Sequence, residues 1–505
     1  MSRVVVVGAG VGGLAAAVRC AEAGHDVTVL EAAGAAGGKA RRLERDGFAF
    51  DTGPSLVTMP WAFRDLLGDR LDLVRVEPVT RYRFADGSEV DLSADLPRAM
   101  EALEAWSPGA GADWARFLGT CAGMWRASVP FLTGEPPWPP RLRGPRADPR
   151  DALRVKPWWT LRQLARAHAR DPRLRTIVER FATYAGADPR RAPAALAVAG
   201  YVEHAFGAWH PRGGVHAIVR ALVARAQELG VEIRYGERVV GVARDGRRAT
   251  AVRVAAEDGD GEQRRREAAP TRGELRPADW IVWGGDELQL ARLLRESDPR
   301  GERAVARLLR GAQPRGERSL SGFVLMLGLR GRTAGLPHHV IAFPRSYDAE
   351  LDDVFVVRRP VREPTLYVSS PAVTDPGEAP PGDESWFVLV NAPPGLPERA
   401  FDGYGDHVLE WLAQAGLDVS GRVAVREQRT PADLERETGA IGGAIYGRAP
   451  HGRLGALRRP GPRVRGVPNL LRAGGTAHPG GGLPLVALSG ALAARIVGPA
   501  RTPRA

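Results

Sequence analysis

Six residues near the start, Gly8-Ala9-Gly10-Val11-Gly12-Gly13, carry the G-x-G-x-x-G spacing, and Glu31 follows them. Glycines at this spacing let a backbone approach a pyrophosphate. Gly8 permits a tight turn, Gly10 leaves the phosphates room, and Gly13 lets a strand and a helix touch. Ala9 and Gly12 complete the loop, whose amides open a helix N-terminus and favour an anion. Glu31 can accept hydrogen bonds from both ribose hydroxyls of an adenosine. Its charge repels a 2′-phosphate, so NADP is disfavoured.

Further glycine loops follow. Gly37-Gly38-Lys39 can bring a cation to phosphates or ribose, and Asp51-Thr52-Gly53-Pro54-Ser55 is another tight turn. The run GGTAHPGGGLPLVALSG spans Gly474 to Gly490, close to the end of the sequence. Such loops are costly in backbone entropy, so they point to close contact between backbone and ligand. A long flavin cofactor, stretched across a domain, needs this many loops; a nicotinamide dehydrogenase rarely does.

Candidate proton-handling groups are few. Glu203 and His204 fall on an expected helix, His210 in the loop before Gly213-Gly214, and His478 in the last glycine loop. Each can accept a proton or bind a hydroxyl; each is also common as a satisfied buried histidine or a solvated carboxylate. Trp209 and Phe206 suit a pocket wall or core. The sequence shows no Ser-His-Asp order, no phosphate-binding P-loop and no metal-ligand spacing, so no metal is expected. Cys20 and Cys121 are the two cysteines. They make no disulfide framework, and neither lies near the C-terminal loop, so a flavin linked there through cysteine is excluded.

Local patterns supply elements to position these groups. RVVVVGAG reads as a buried parallel strand, VGGLAAAVRCAEAG as a helix stopped by Gly24, and HDVTVLEAA as a second strand: one βαβ unit. RRLERDGFAFD and RYRFADGSEVDL look like hairpins. Residues 95–128, 159–205, 216–229 and 403–416 read as helical. VEIRYGERVVGVARDGRRATAVRV alternates like strands around a DG turn, and 257–276 reads as a polar loop. ADWIVWGGD is a buried strand ending in glycines, several strands are expected over 319–392, and NLLRAGG leads into a final helix, Leu483 to Val497. The elements interleave, so the domains should be discontinuous.

The chain has 505 residues, 44% hydrophobic and 26% charged, which suits a globular protein with a large core. Its net charge of +12 suggests nucleic acid, but of 71 basic residues only Lys39 and Lys156 are lysine, and the arginines form no single stripe. That skew is what coding bias of a GC-rich genome produces. No apolar window is long enough for a transmembrane helix. FLTGEPPWPPRLR and VKPWWTLRQLARAHAR place Trp138, Trp158 and Trp159 among basic residues. Tryptophan there favours a lipid headgroup zone, so residues 125–165 are expected to attach to a membrane surface.

Taken together, G-x-G-x-x-G, Glu31, GGK and DTGPS resemble the FAD-containing amine oxidase and phytoene desaturase superfamily over nearly the whole chain. RFATYAGADPRRAPA (180–194), GAWHPRGGVHAIVRAL (207–222) and the C-terminal loop resemble its bacterial carotenoid desaturase branch. Ala477 before His478-Pro479, with GGAIYGRAPHGRLGALRRPG (442–461), is most similar to the hydroxycarotenoid 3,4-desaturases, also called methoxyneurosporene dehydrogenases. The resemblance departs at Lys39, where the family usually has an arginine; lysine keeps the charge and loses the planar fork.

The resemblance implies an α/β fold with a Rossmann-type FAD-binding domain, an interleaved substrate domain and a helical membrane-associating region. The expected partition is 1–93, 216–290 and 440–505 for FAD, 94–215 for the helical lid, and 291–439 for substrate. It implies non-covalent FAD, with Gly474 and Gly475 near its phosphates or ribityl chain. Pro484, Leu485 and Val486 would open the last helix under the flavin, and the Val239 backbone would touch adenine. The implied reaction is desaturation of an acyclic carotenoid by hydride transfer to the flavin. C-3,4 desaturation of a 1-hydroxy or 1-methoxy carotenoid leads; a phytoene desaturase or carotene isomerase comes second. An amine oxidase is more distant, because the C-terminal loop has no Phe, Tyr or Trp between Gly474 and Gly490; a non-catalytic flavoprotein or carotenoid carrier is the non-enzymatic rival. The expected partners are a polyene, a membrane surface and oxygen or a quinone as electron acceptor, with no nucleic acid. The expected location is cytoplasmic, peripheral on the inner face of the membrane.

Overall fold

Val4 to Val7 are buried and β-branched, which suits a strand covered on both faces. In the computed structural model, which describes residues 1–134, 153–255, 273–296, 317–453 and 455–500, Arg3–Val7 is the central strand of a five-stranded sheet. Its neighbours are Trp280–Trp283 and Asp26–Glu31, with Leu470–Arg472 and Glu232–Tyr235 at the edges, and every pairing is parallel. The helices Val11–Glu22, His216–Glu228 and Leu483–Val497 join this sheet in one apolar core. Residues from the start, middle and end of the chain thus build a single nucleotide-type layer, as the interleaved pattern requires. The hairpin Val239–Asp245 with Arg248–Val254 extends it, joined by Glu274–Pro277.

A seven-stranded sheet forms the second body. Its order runs Val423–Arg429, Ser321–Leu329, Glu384–Ala392, Leu366–Ser369, His339–Ala342, Thr80–Arg83, Glu89–Leu92. All its pairings are antiparallel except His339–Ala342 with Thr80–Arg83. The helices Leu96–Trp106, Ala110–Thr133, Leu161–His168 and Pro172–Arg180 pack on one end of it around Trp114, Phe117, Leu164 and Phe181.

Three expectations need correction. The strands within 80–92 belong to the seven-stranded sheet, so the first FAD segment does not run to residue 93 as expected. Residues 159–205 are not continuously helical: Asp171 caps a new helix with Pro172 at its first turn, and a 3-10 segment Phe181–Ala185 and the loop to Val198–Phe206 follow. The expected loop 257–276 ends in the strand Glu274–Pro277, and its residues 257–272 lie outside the described residues. The hairpins Arg42–Arg45 with Phe48–Asp51 and Thr80–Arg83 with Glu89–Leu92 match the reading, and the final helix has the bounds expected. Among the described residues no helix is long and apolar enough to cross a membrane.

Candidate functional site

A cavity of about 780 Å³ runs between the two bodies. One end is lined by Gly8, Gly10, Gly12, Glu31, Gly38, Lys39, Val239, Gly284 and Gly474. The other is lined by Trp125, Phe131, Phe181, Leu196, Val202, Tyr367, Phe387 and Leu389. Gly53, Pro54, Ser55, Gly475, Pro484, Leu485 and Val486 also line it. Two candidate cofactor residues lie behind the wall. Ala9 is buried, and its N–H donates to Glu31 Oε2 at 2.7 Å. Gly13 packs so tightly that a Cβ would overlap the Gly8 carbonyl oxygen.

The glycine end has the shape of a dinucleotide cradle. Gly8 has φ 98°, Gly38 φ 57° and Gly474 φ 107°, values that favour glycine. A Cβ on Gly12 would come within 2.7 Å of Gly474 Cα, so two backbones meet where the first helix begins. A Cβ on Gly10 meets no protein atom within 4 Å; it would project into the open space of the cavity. Glu31 also accepts from Ala33 N–H at 2.9 Å, which fixes its carboxylate and leaves lone pairs for ribose hydroxyls. These features suit the adenosine and pyrophosphate of a flavin dinucleotide.

The Lys39 ammonium donates to the Ala444 and Ile445 carbonyls at 3.2 and 2.6 Å. Burial lowers its pKa to about 8, opposed by Asp286, a buried cavity-lining carboxylate. Arg459 donates to the Gly475 and Tyr446 carbonyls at 2.8 and 3.1 Å and tethers the C-terminal loop. The helix Leu483–Val497 starts at this cavity, so its free amides and dipole face in.

The four candidate proton-handling residues separate, and His204 does not line the cavity. Glu203 lines the cavity and is 8% exposed. His478 does not line it, which corrects the expectation drawn from its loop. Its Nε2–H donates to the Phe131 and Gly134 carbonyls at 2.8 and 3.0 Å, and its ring stands edge-on to Phe131, a residue of the cavity wall. Burial lowers its pKa, so the ring is neutral and pins the loop to the end of Ala110–Thr133. His210 is also outside the cavity lining. It sits on the strand Ala208–Pro211, and its ring lies 5.0 Å from that of His338. Both His210 nitrogens are buried without a hydrogen bond, with Asp375 4.0 Å from Nε2, and desolvation lowers its pKa to about 4. His210, Asp375 and Glu378 bring ligand-type atoms within 4.8 Å of one another, a grouping no sequence spacing reveals. Arg42 already pairs with Glu378 at 2.7 Å and supplies a positive charge there.

Sequence reasoning missed the polar groups at the apolar end. Arg180 donates to the Tyr184 hydroxyl at 2.8 Å and faces the rings of Tyr184 and Tyr367. Tyr367 in turn hydrogen-bonds Ser55. Tyr446 packs on Gly481 so closely that a Cβ there would overlap its ring. The glycine loop therefore borrows aromatic walls from elsewhere. The signals were RFATYAG and GGAIYG, quoted above for resemblance alone.

Known proteins give independent comparisons. Residues 11–269 match the family model described as flavin containing amine oxidoreductase. A hydroxyneurosporene desaturase from Rubrivivax gelatinosus is 35% identical, covering 97% of this chain and 92% of that protein. Another, from Cereibacter sphaeroides, is 34% identical, covering 98% and 97%. A phytoene dehydrogenase from Streptomyces griseus is 34% identical, covering 100% and 97%. The crystal structure of an oxidoreductase from Methanosarcina mazei shares the fold, with TM-score 0.62 and 17% identity over 97% of this chain and 99% of that one.

Proposed function

The chain belongs to the flavin containing amine oxidoreductase family, and from that premise we propose that it is an FAD-dependent carotenoid desaturase acting at C-3,4 of an acyclic 1-hydroxy or 1-methoxy carotenoid. The observation that carries this reading is the continuity of one cavity, glycine-walled at one end and apolar at the other. A dinucleotide and a long hydrocarbon suit those two ends. Relatives named for hydroxyneurosporene desaturation support the substrate class.

A bound flavin supplies the hydride acceptor for CH–CH oxidation. The protein contributes the rest. Glu31 and the amides of Gly10 to Gly12 would hold the adenosine and pyrophosphate, without a covalent bond, while the Gly8 and Ala9 amides fix the loop on Leu30 and Glu31. Lys39, Arg459 and the N-terminus of Leu483–Val497 give the middle of the cavity positive potential, which favours negative charge there. Phe181, Tyr367 and Leu389 exclude water and hold a polyene in one orientation. The substrate loses a hydride from one carbon and a proton from its neighbour, and oxygen or a quinone removes the electrons. Membrane attachment on the cytoplasmic side suits a substrate that dissolves in lipid.

Anaerobic mixing of FAD-loaded protein with hydroxyneurosporene tests the reading. The visible flavin band should bleach as the polyene absorption moves to longer wavelength. A flavin band that stays oxidised contradicts it.

A further inference from the structure

Glu203, Tyr184 and Arg180 form a buried polar island in the otherwise apolar end of the cavity, and all three line it. Their placement is built. Glu203 comes from the helix Val198–Phe206, while Arg180 and Tyr184 come from the helix end and 3-10 turn before it. Arg180 donates to the Tyr184 hydroxyl oxygen, so the Tyr184 proton is free to donate onward. Burial raises the Glu203 pKa, and the Tyr184 hydroxyl and the Arg180 charge oppose that rise by favouring the carboxylate. One carboxylate oxygen, Oε1, remains buried and without a hydrogen-bond partner.

A hydrocarbon alone is a poor occupant of such a place. A bare polyene end leaves Oε1 unpaired, whereas an alcohol hydrogen can fill it. The island also lies near the C-terminal glycine loop. Arg180 acts electrostatically on Tyr446, and Tyr446 packs on Gly481. In a 1-hydroxylated chain the oxygen-bearing carbon is two bonds from C-3, so a group that reads the hydroxyl must sit close to the reacting carbons.

We infer that Glu203 accepts a hydrogen bond from the tertiary hydroxyl of the substrate and thereby sets which carbons react. Tyr184 and Arg180 position its carboxylate. This subsite rests on the desaturase reading above and assigns Glu203 recognition, with no part in removing the proton.

Binding and turnover on FAD-loaded protein test it with a matched pair: hydroxyneurosporene and neurosporene, the same polyene without the hydroxyl. Quenching of protein tryptophan fluorescence reads binding, with Trp125 in the cavity wall. Wild type should prefer the hydroxylated chain by about tenfold or more, the range set by an unpaired buried acceptor. Glu203→Leu should lose that preference while binding neurosporene as well as wild type or better. Glu203→Gln should keep part of it, because an amide oxygen still accepts. If Glu203→Leu does not fold, Tyr184→Phe reads the same ratio and should lower it. A wild type that discriminates, with a Glu203→Leu variant that discriminates equally, overturns the subsite alone. Glu203→Gln that binds with full preference but turns over neither polyene also overturns it, since that is the signature of a base. A wild type without preference overturns the desaturase reading first and the subsite with it.

Discussion

At the scale of single residues, Gly10 and Gly13 separate binding from folding. A side chain on Gly10 enters empty cavity, while one on Gly13 strikes the Gly8 carbonyl. Gly10→Val should therefore fold with a near-normal thermal midpoint yet stay colourless after FAD reconstitution. Gly13→Val should lower the midpoint itself, because it drives apart the first strand and helix. Glu31→Ala should weaken FAD roughly ten- to hundredfold, since it removes ribose acceptors and leaves the Ala9 N–H buried and unpaired, about 1–3 kcal/mol; a flavin fluorescence titration measures it. The buried histidines make a pH prediction. Desolvation lowers His210 and His339 from 6.5 to about 4, and His338 well below its usual value; Asp375 faces His210 and partly opposes the shift, and Arg42 and Arg212 add to it. Between those limits the unfolded chain binds more protons than the folded one, so stability falls as pH drops from about 6.5 toward 4. The loss is on the order of 3 kcal/mol for each of His210 and His339. Denaturant midpoints at pH 7.5, 6 and 5 should fall progressively, and a flat profile contradicts the neutral, buried placement. The position of Glu31 beside the glycine loop was legible from sequence because it depends on a local βαβ unit. His478 was not, because a glycine-rich loop does not reveal which way its one imidazole points. Arg180, Tyr184 and Glu203 were not legible as a group, because the break at Asp171-Pro172 and the 3-10 turn bring them together only on folding.

At the scale of elements, the helix Leu483–Val497 is the piece that closes the site. Gly490 rests on the Gly12 carbonyl oxygen and on Ala15 and Ala16, so the last helix packs backbone to backbone on the first. Gly490→Ala should push the two apart and cost about 1–3 kcal/mol of stability, with weaker FAD binding, because Val486 and Gly474 move with it. Thermal midpoints with and without FAD check both effects. The bounds of this helix were readable because Gly482, Pro484 and Gly498 punctuate it. The seven-stranded sheet was harder, because Thr80–Arg83 and Glu89–Leu92 lie more than 200 residues before its other strands and no local period joins them. The membrane segment divides in the fold. Trp158 is 50% exposed, Trp159 packs on the helical core with Lys156 over its ring, and Trp138 lies outside the described residues. The proposed membrane attachment through 125–165 therefore rests on Trp158 more than on Trp159. Trp158→Ser should reduce flotation with anionic liposomes while leaving the thermal midpoint unchanged, and unchanged flotation removes this segment as the anchor.

At the scale of the whole molecule, two bodies meet around one cavity, and the chain crosses between them repeatedly. That interleaving explains why the nucleotide layer needs residues from both ends of the sequence, and why a resemblance spread over nearly the whole chain carried more than any one motif. It also makes substrate choice a property of the assembled cavity. Leaving a buried polar group unpaired costs about 1–3 kcal/mol, so a carotenoid with an unsubstituted end should react about ten- to hundredfold more slowly than one with a 1-hydroxyl. The direct measurement is chromatography of products from FAD-loaded protein given hydroxyneurosporene and phytoene separately in matched membranes. The expected result is a 3,4-desaturated hydroxycarotenoid formed at least ten times faster than any phytoene product. Phytoene desaturated as fast as hydroxyneurosporene, or faster, contradicts it.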